Sequence, residues 1–286
     1  MKMSKGFTLL ELMIAITLGL LITAASIMLF LSVSRGYSAQ KASSEIQGNA
    51  TFGLPHIIRQ LRQIPAEGGV LFNQSIAKQA NTNFSVNTQS DLLTVRYTIT
   101  PSQLVAHNNN LVTCEGTSIA TGLANQFTQQ INADHEIQEA IAAHDEVKKS
   151  TRQQALKQVF DSQPVTVTEQ YFLTQNGLTC RSALKNAALT GNGTVIIPNV
   201  DYFHVQLITK NQNSFKNIDI PNAQPVENIV GLQLGILLRS GNQIQGASYI
   251  NVNDDIPVLN EIVKLNTGAS AQLLRQVVVQ TIAMRN

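Results

Sequence analysis

The chain has 286 residues, a length that suits one large domain or two modest ones. Hydrophobic residues make up 43% of it and charged residues only 13%, so the composition is globular but poor in charge. Asn, Gln, Ser and Thr are abundant, which favours an extracytoplasmic, sheet-rich domain. Because 20 basic residues stand against 18 acidic ones, we do not expect a general binder of phosphate backbones. A local basic patch would be compatible with this balance.

The N-terminal region contains a long apolar run. From Leu12 to Ser34 no residue is ionisable. As a helix these residues would span about 34 Å, against roughly 30 Å for the hydrocarbon core of a bilayer. A cleavable secretory signal has a shorter apolar region followed by a small-residue site, whereas this run continues. Lys2 and Lys5 precede the run and Arg35 follows it, which weakly favours a cytoplasmic N-terminus. The sequence therefore predicts a single-pass inner-membrane helix with the bulk of the chain in the periplasm.

One acidic residue, Glu11, lies at the start of this run. A carboxylate embedded in lipid is costly, so Glu11 needs either water at the headgroup boundary or a specific partner. The stretch Gly6-Phe7-Thr8-Leu9-Leu10-Glu11 resembles the processing site of type IV prepilins, which reads Gly-Phe-Thr-Leu-x-Glu ahead of an apolar helix. This resemblance favours the second alternative, a carboxylate kept for a specific contact.

The resemblance implies a role for each of these residues. A membrane prepilin peptidase would cut between Gly6 and Phe7, remove a leader of residues 1–6, and methylate the new amino group of Phe7. Both Phe7 and Glu11 would serve in assembly, because the carboxylate would attract the N-terminal amine of a neighbouring subunit in a medium of low dielectric constant. The leader contains two of the 20 basic residues, so its loss would leave 18 basic and 18 acidic residues.

Beyond the apolar run, helical spacing continues in a more polar segment. Apolar residues recur there at three- and four-residue steps, namely Ile46, Ala50, Gly53 or Leu54, Ile57, Leu61 and Ile64. Pro55 lies inside this pattern and predicts a kink or a break, and Pro65 predicts the end. We expect residues 7–34 to form the transmembrane and assembly helix. Residues 35–65 would form an amphipathic helix on a globular, β-rich head of residues 66–286.

The head is expected to consist mainly of strands. The Asn-rich stretch from Asn73 to Ser90 predicts a surface loop. The strongest hairpin signal is Asn176-Gly177, and residues 125–161, free of Pro and Gly, predict a helical insertion. Strands are predicted at residues 91–99, 103–107, 111–114, 165–173, 178–181, 194–197, 200–209, 229–239, 243–251 and 273–285. Strands that follow one long helix indicate an α+β class.

The two cysteines, Cys114 and Cys180, both lie in the part expected outside the cytoplasm. In an oxidising periplasm an even pair predicts a disulfide, and the alternative is two buried free thiols. A bridge that closes a loop of about 67 residues would stabilise the fold by ~4 kcal/mol in the chain-entropy model. Neither a CxxC motif nor a Cys/His metal spacing occurs.

Patterns for catalysis or metal binding are sparse. The five histidines form no HxxxH or HExxH pair, and surface positions are expected for His56, His107, His135, His144 and His204. Residues 251–255 gather oxygen ligands that would suit Ca²⁺. They lack the twelve-residue spacing and the turn glycine of a calcium loop, so a solvated loop is expected. We therefore expect no catalytic residue, no metal site and no cofactor.

Motifs in the head extend the resemblance. Leu178-Thr179-Cys180-Arg181 and the final residues 275–286 resemble the PilW group of minor pilins. The resemblance implies a pilin-like α+β fold and a non-enzymatic subunit of a type IV pilus, acting in pilus initiation or tip assembly and so in twitching motility, adhesion or DNA uptake. The implied partners are other minor pilins, the major pilin, the prepilin peptidase, the inner-membrane assembly platform and inner-membrane lipid. Direct nucleic-acid binding is not expected.

Two alternatives stay open. The first is a J-type minor pseudopilin of a type II secretion system, which has the same fold in another machine. The second is a membrane-anchored periplasmic binding protein or enzyme, which would need neither Glu11 nor cutting after Gly6.

Overall fold

The structure, a computed structural model, describes residues 8–63, 76–79, 86–99, 111–119, 165–184, 187–211, 214–218, 229–244, 254–266 and 271–283. Several predictions from sequence lie outside the described residues. These are the helical insertion at residues 125–161, the strand at residues 103–107, most of the strand at residues 243–251, and the cleavage site at Gly6 and Phe7.

One helix, α1, runs without interruption over Leu9–Gln63 and contains 55 residues. Thr8 caps its N-terminus, because the Thr8 hydroxyl oxygen accepts a hydrogen bond of 3.3 Å from the backbone N–H of Glu11. The long N-terminal helix predicted from sequence is confirmed. Pro55 does not break the helix. Proline has no N–H to donate to the carbonyl of Thr51, but Thr51 and Pro55 both lie on the exposed face, where water can bind that carbonyl.

The first sheet has five antiparallel strands in the order β1-β2-β3-β4-β5. Their bounds are Ile76–Lys78, Asp91–Ile99, Val165–Thr174, Gly177–Leu184 and Thr194–Pro198. Strands β3 and β4 form the hairpin predicted at Asn176-Gly177. Gly177 has a φ of 136° and its Cα faces the backbone of Ile197 and Pro198, so a side chain at this position would be strained and would collide with β5.

The second sheet has four antiparallel strands in the order β11-β8-β6-β7, and a separate hairpin joins β9 to β10. The bounds in chain order are Val200–Asn211 for β6, Ser214–Ile218 for β7, Ile229–Arg239 for β8, Ile256–Val258 for β9, Glu261–Val263 for β10 and Arg275–Ala283 for β11. The sequence predicted β6, β8 and β11. It did not predict β7 or the β9–β10 hairpin.

Two apolar clusters hold these layers together. The larger cluster joins α1, through residues such as Ile46 and Ile57, to buried residues of both sheets. The smaller cluster lies on the other face of β6 and β8, and consists of Val86, Tyr202, Leu237, Ile256, Val258, Val263 and Leu265. Strand β6 is therefore buried on both faces. The predicted α+β class, with one long N-terminal helix packed on antiparallel sheets, is confirmed.

Two local predictions are wrong. The stretch from residue 73 to residue 90 is not simply a surface loop, because it contains β1 and because Val86 and Ser90 are buried. Residues 111–114 do not form a regular strand; they enter a turn that is closed by an isolated bridge between Val112 and Ser118. In both places polar side chains bond to distant parts of the head, and such contacts leave no periodic signal in the sequence.

Candidate functional site

The N-terminal half of α1 presents its apolar side chains to the outside. Every residue from Thr8 to Val33 is exposed, and most of these residues are apolar. The hydroxyl groups of Thr17 and Ser26 donate to backbone carbonyls of the same helix, at 2.9 and 2.8 Å, so they need no water. In the part of the chain that the structure describes, α1 is the one helix that is long and apolar enough to cross a membrane.

Glu11 lies exposed in the first turn of α1. Its negative charge suits the positive end of the helix dipole. Among the described residues its carboxylate forms no ion pair, and Phe7, the expected source of a neighbouring amine, lies outside them. The contact between these two groups therefore stays a prediction.

The C-terminal half of α1 is fixed to the head by a close approach and by hydrogen bonds. Gly53 faces β5, and a Cβ built on it would overlap the side chain of Ile197. One carboxylate oxygen of Glu45 accepts two hydrogen bonds, each 3.1 Å long, from the Asn199 side-chain amide and from the Gly241 backbone N–H. The helix thus touches the end of β5 and the turn after β8, so its direction relative to the head is defined.

The end of α1 also holds the turn at residues 111–119. The side-chain amide of Gln60 donates to the carbonyl of Thr113 at 2.6 Å, and His56 Nε2 bonds to the carbonyl of Cys114 at 3.0 Å. A disulfide joins Cys114 to Cys180 of β4, with 6.2 Å between the Cα atoms. The disulfide predicted from the sequence is present, and it ties this turn to the first sheet.

A buried carboxyl lies beside the disulfide. Glu169 of β3 is fully buried and accepts hydrogen bonds from the backbone N–H of Cys114 at 2.8 Å and from the hydroxyls of Tyr97 and Tyr171 at 3.1 and 3.0 Å. Burial raises the pKa of Glu169 more than these hydrogen bonds lower it, so the pKa is about 7. Burial, and then the charge of Glu169, raise the pKa of both tyrosines well above its ordinary value.

A second polar cluster joins the two sheets to the β9–β10 hairpin. Asp91 of β2 accepts from Val205 N–H at 2.8 Å and pairs with His204 Nδ1 at 2.7 Å and Lys78 Nζ at 2.9 Å. His204 Nε2 lies 3.1 Å from the side-chain oxygen of Asn260, in the hairpin turn. The surface position expected for His204 is wrong, because this histidine is buried against Asp91.

The charges of this second cluster shift one another. Burial alone lowers the pKa of His204, but the hydrogen bond and the charge of Asp91 outweigh it, and the net pKa is raised. Burial alone raises the pKa of Asp91, but the contact with His204 and the hydrogen bond from Val205 reverse this, and the net pKa is lowered. The two groups therefore stabilise each other as an ion pair.

Both clusters join neighbouring elements of the head through hydrogen bonds and ion pairs. The Asp91–His204 pair points at Asn260, which is neither a nucleophile nor a metal ligand of choice. Within the described ranges, no group of three or more His, Cys, Asp or Glu residues could hold a metal ion. Of the candidate calcium loop, residues 251–253 lie outside those ranges, and Asp255 forms an exposed ion pair with Lys264 at 3.2 Å.

Beyond the apolar run, the outward face of α1 carries two exposed aromatic side chains that no sequence motif marks. Tyr37 and Phe52 are 69% and 82% exposed there. The helical spacing that identified Ile46 and Ile57 as core positions already indicates that Phe52 points away from the head. The sequence pattern alone could therefore have shown that α1 has an aromatic residue on its solvent-facing side.

Residues 1–27 match the family model of the prokaryotic N-terminal methylation motif. No curated protein matches the chain by sequence. Among solved structures, a type IV-like pilin from Thermus thermophilus is similar at 11% identity and a TM-score of 0.38, over 85% of this chain and 94% of that one.

The matched residues coincide with the features described above. They include the cleavage sequence that resembles a prepilin site, Glu11, and the exposed apolar part of α1. The chain thus carries a prokaryotic N-terminal methylation motif at the start of the helix that docks its head.

Proposed function

We propose that this chain is a minor pilin, a non-enzymatic subunit that joins the initiating or tip complex of a type IV pilus. The observation that carries the proposal is the methylation motif at residues 1–27, placed directly on an apolar helix that is exposed along its whole N-terminal half. Apolar side chains of that kind are not tolerated in water by a lone monomer. They need lipid before assembly and other helices after it.

The subunit would wait in the inner membrane with its N-terminus in the cytoplasm and its head in the periplasm. The prepilin peptidase would cleave after Gly6 and then methylate the new amino group of Phe7. The assembly platform would then move the helix from lipid into a bundle with the helices of other minor pilins and of the major pilin. The rigid attachment of α1 to the head, through Glu45 and Gln60, would carry this movement to the head as one unit.

The test uses the full chain, tagged at its C-terminus, in cells that make its pilus. Glu11→Ala should be cut as fast as the wild type but should fall at least about tenfold in the sheared surface fraction, because the N-terminal amine loses its partner. Ser26→Ala is the matched control, since its hydroxyl bonds only to a carbonyl of its own helix at 2.8 Å. Normal incorporation of Glu11→Ala would refute the pairing role.

Subunits of secretion pseudopili begin with the same motif. Deletion of the gene for this chain decides between a pilus and a secretion pseudopilus. Loss of pili with normal enzyme secretion supports the minor pilin. The opposite result supports a J-type pseudopilin. If neither process changes and Met1 is retained, the chain is a plain anchored periplasmic protein.

A further inference from the structure

The chain contains two Asn-Gly dipeptides, Asn176-Gly177 and Asn192-Gly193. An asparagine followed by glycine is the pair most prone to spontaneous deamidation, because glycine has no side chain to hinder attack by its own backbone nitrogen. That nitrogen must reach the side-chain carbonyl carbon of the asparagine, so the peptide bond between the two residues must be free to turn. The fold holds the two dipeptides differently, and this difference decides which of them reacts.

Asn176-Gly177 is held on both sides of its peptide bond. The carbonyl of Asn176 accepts a hydrogen bond of 3.3 Å from the backbone N–H of Asn199. Gly177 is buried at the start of β4 and pairs with Thr174 of β3 and with Pro198 of β5. Its carbonyl also accepts from the Thr174 hydroxyl at 3.1 Å. Attack on Asn176 would break these contacts, so this dipeptide reacts only in the rare molecules in which the hairpin has opened locally.

Asn192-Gly193 lies in the segment between β4 and β5. Asn192 is exposed, and β5 begins two residues later at Thr194. Among the described residues, neither the side-chain amide of Asn192 nor the backbone N–H of Gly193 takes part in a hydrogen bond. The nitrogen of Gly193 can therefore turn toward the Asn192 side chain without breaking a hydrogen bond of the described fold.

The fold requires the glycine of this second dipeptide. Gly193 has a φ of 72°, and a Cβ built on it would lie 2.5 Å from the carbonyl oxygen of Cys180 and 2.9 Å from Cγ2 of Thr179. A residue with a side chain would be strained here and would collide with β4. The chain thus enters β5 through a glycine for steric reasons, and the exposed asparagine before it forms the reactive pair.

We propose that Asn192 is a site of spontaneous deamidation in the folded head, and that the β3–β4 hairpin protects Asn176. The nitrogen of Gly193 attacks the side-chain carbonyl carbon of Asn192 and forms a C–N bond. The side-chain nitrogen leaves as ammonia, with the proton that the nitrogen of Gly193 loses. Water then opens the cyclic succinimide at either of its carbonyl groups and yields aspartate or isoaspartate. Water is the only co-reactant, and each product adds one negative charge to the head.

The new charge arises next to a cation. Arg181 of β4 donates through Nη1 to the carbonyl of Gly191 at 3.4 Å, and that carbonyl belongs to the peptide bond between Gly191 and Asn192. The other hydrogen bonds of this guanidinium go to the neutral side chain of Gln170, and the group lies 4.8 Å from the centre of the Phe172 ring. Arginine binds a carboxylate more strongly than a neutral carbonyl. Deamidation therefore gives Arg181 an anionic partner and joins the segment before β5 more firmly to β4.

The test is incubation of the purified full chain in detergent micelles at mildly alkaline pH, followed by peptide mapping with mass spectrometry. Deamidation at Asn192 should be at least about tenfold faster than at Asn176, which reacts only through local opening. In urea that unfolds the head, the two rates should become similar, because both asparagines precede a glycine. Equal rates in the folded chain, no reaction at Asn192, or the same ratio with and without urea would overturn the proposal.

A charge measurement on the intact chain gives an independent readout. Isoelectric focusing after incubation should show a new acidic band in the wild type and in Asn176→Gln but not in Asn192→Gln, because glutamine forms the cyclic product far more slowly. An acidic band of wild-type strength in Asn192→Gln would overturn the assignment of the site.

The contact with Arg181 is tested with one of the two products. Asn192→Asp should raise the urea midpoint of the full chain, and this rise should be lost when Arg181→Gln is also present. The same rise with and without Arg181 would overturn the contact with the new carboxylate.

Discussion

Two glycines of α1 give a sharp test of how the helix is seated on the head. Gly53 faces β5, and a Cβ at this position would overlap Ile197 Cγ1 and lie 3.0 Å from Ile197 Cδ1 and 3.2 Å from the carbonyl oxygen of Ile196. Gly48, five residues earlier in the same helix, would place a Cβ with nothing within 4 Å. The two glycines have the same backbone state, so replacement by alanine isolates the contact with β5.

In a helix interior, alanine is favoured over glycine by about 1 kcal/mol. We expect Gly48→Ala to gain this amount in free energy of unfolding. At Gly53 the gain is opposed by the overpacking of a buried contact, which costs about 1–3 kcal/mol. Ile197 is fully buried and the backbone of β5 is held by β4, so neither neighbour gives way easily. The two variants should therefore differ by about 1–3 kcal/mol, with Gly53→Ala the less stable.

The assay is urea unfolding of the full chain in detergent micelles, followed by circular dichroism and by a probe in the head. Gly48→Ala should raise the midpoint and Gly53→Ala should leave it unchanged or lower it. If both variants raise the midpoint by the same amount, then α1 does not pack closely on β5 and the described attachment is wrong.

The remaining predictions concern the buried polar groups and the disulfide. The pKa of Glu169 is raised from 4.5 to about 7, so its contribution to stability is complete below pH 4.5 and is lost as the pH rises through 7; this loss is about 3 kcal/mol. In Glu169→Gln, the urea midpoint should depend less on pH between pH 5 and pH 8 than in the wild type. An unchanged pH dependence would contradict the burial of Glu169. The pKa of His204 is also raised, so its contribution is complete below pH 6.5 and is lost as the pH rises through the folded-state pKa. Adding His204→Gln to Glu169→Gln should remove the remaining pH dependence of the urea midpoint. A double variant whose midpoint depends on pH as strongly as that of the wild type would contradict both pKa assignments. Changing Cys114 and Cys180 to Ser together should cost about 4 kcal/mol of unfolding free energy; a change below about 1 kcal/mol would show that the turn they join is held by other contacts.

The sequence predicted those parts of the fold that have a regular period. The 55-residue helix followed from apolar spacing, and the β3–β4 hairpin followed from Asn176-Gly177 between two strand-like runs. The disulfide followed from two cysteines in a part of the chain that is expected to lie in an oxidising compartment. Each of these signals is local, or needs only the count of one residue type.

The parts that the sequence did not predict depend on distant polar contacts. Strand β1 is only three residues long and is held where Lys78 meets Asp91 and Glu261, so no alternation identifies it. His204 is buried because Asp91 and Asn260 satisfy both ring nitrogens, and these partners are 113 and 56 residues away in the chain. The N-terminal methylation motif was the opposite case, because a short sequence and a long apolar run were enough to predict it.

Under the proposed function, the apolar helix is processed before it is bundled with the helices of other subunits. Mass spectrometry of the N-terminal peptide of the mature protein tests this claim most directly. The account predicts a chain that begins at Phe7 with a methylated amine, with the leader through Gly6 absent. A chain that is functional at the cell surface and still begins at Met1 would contradict it.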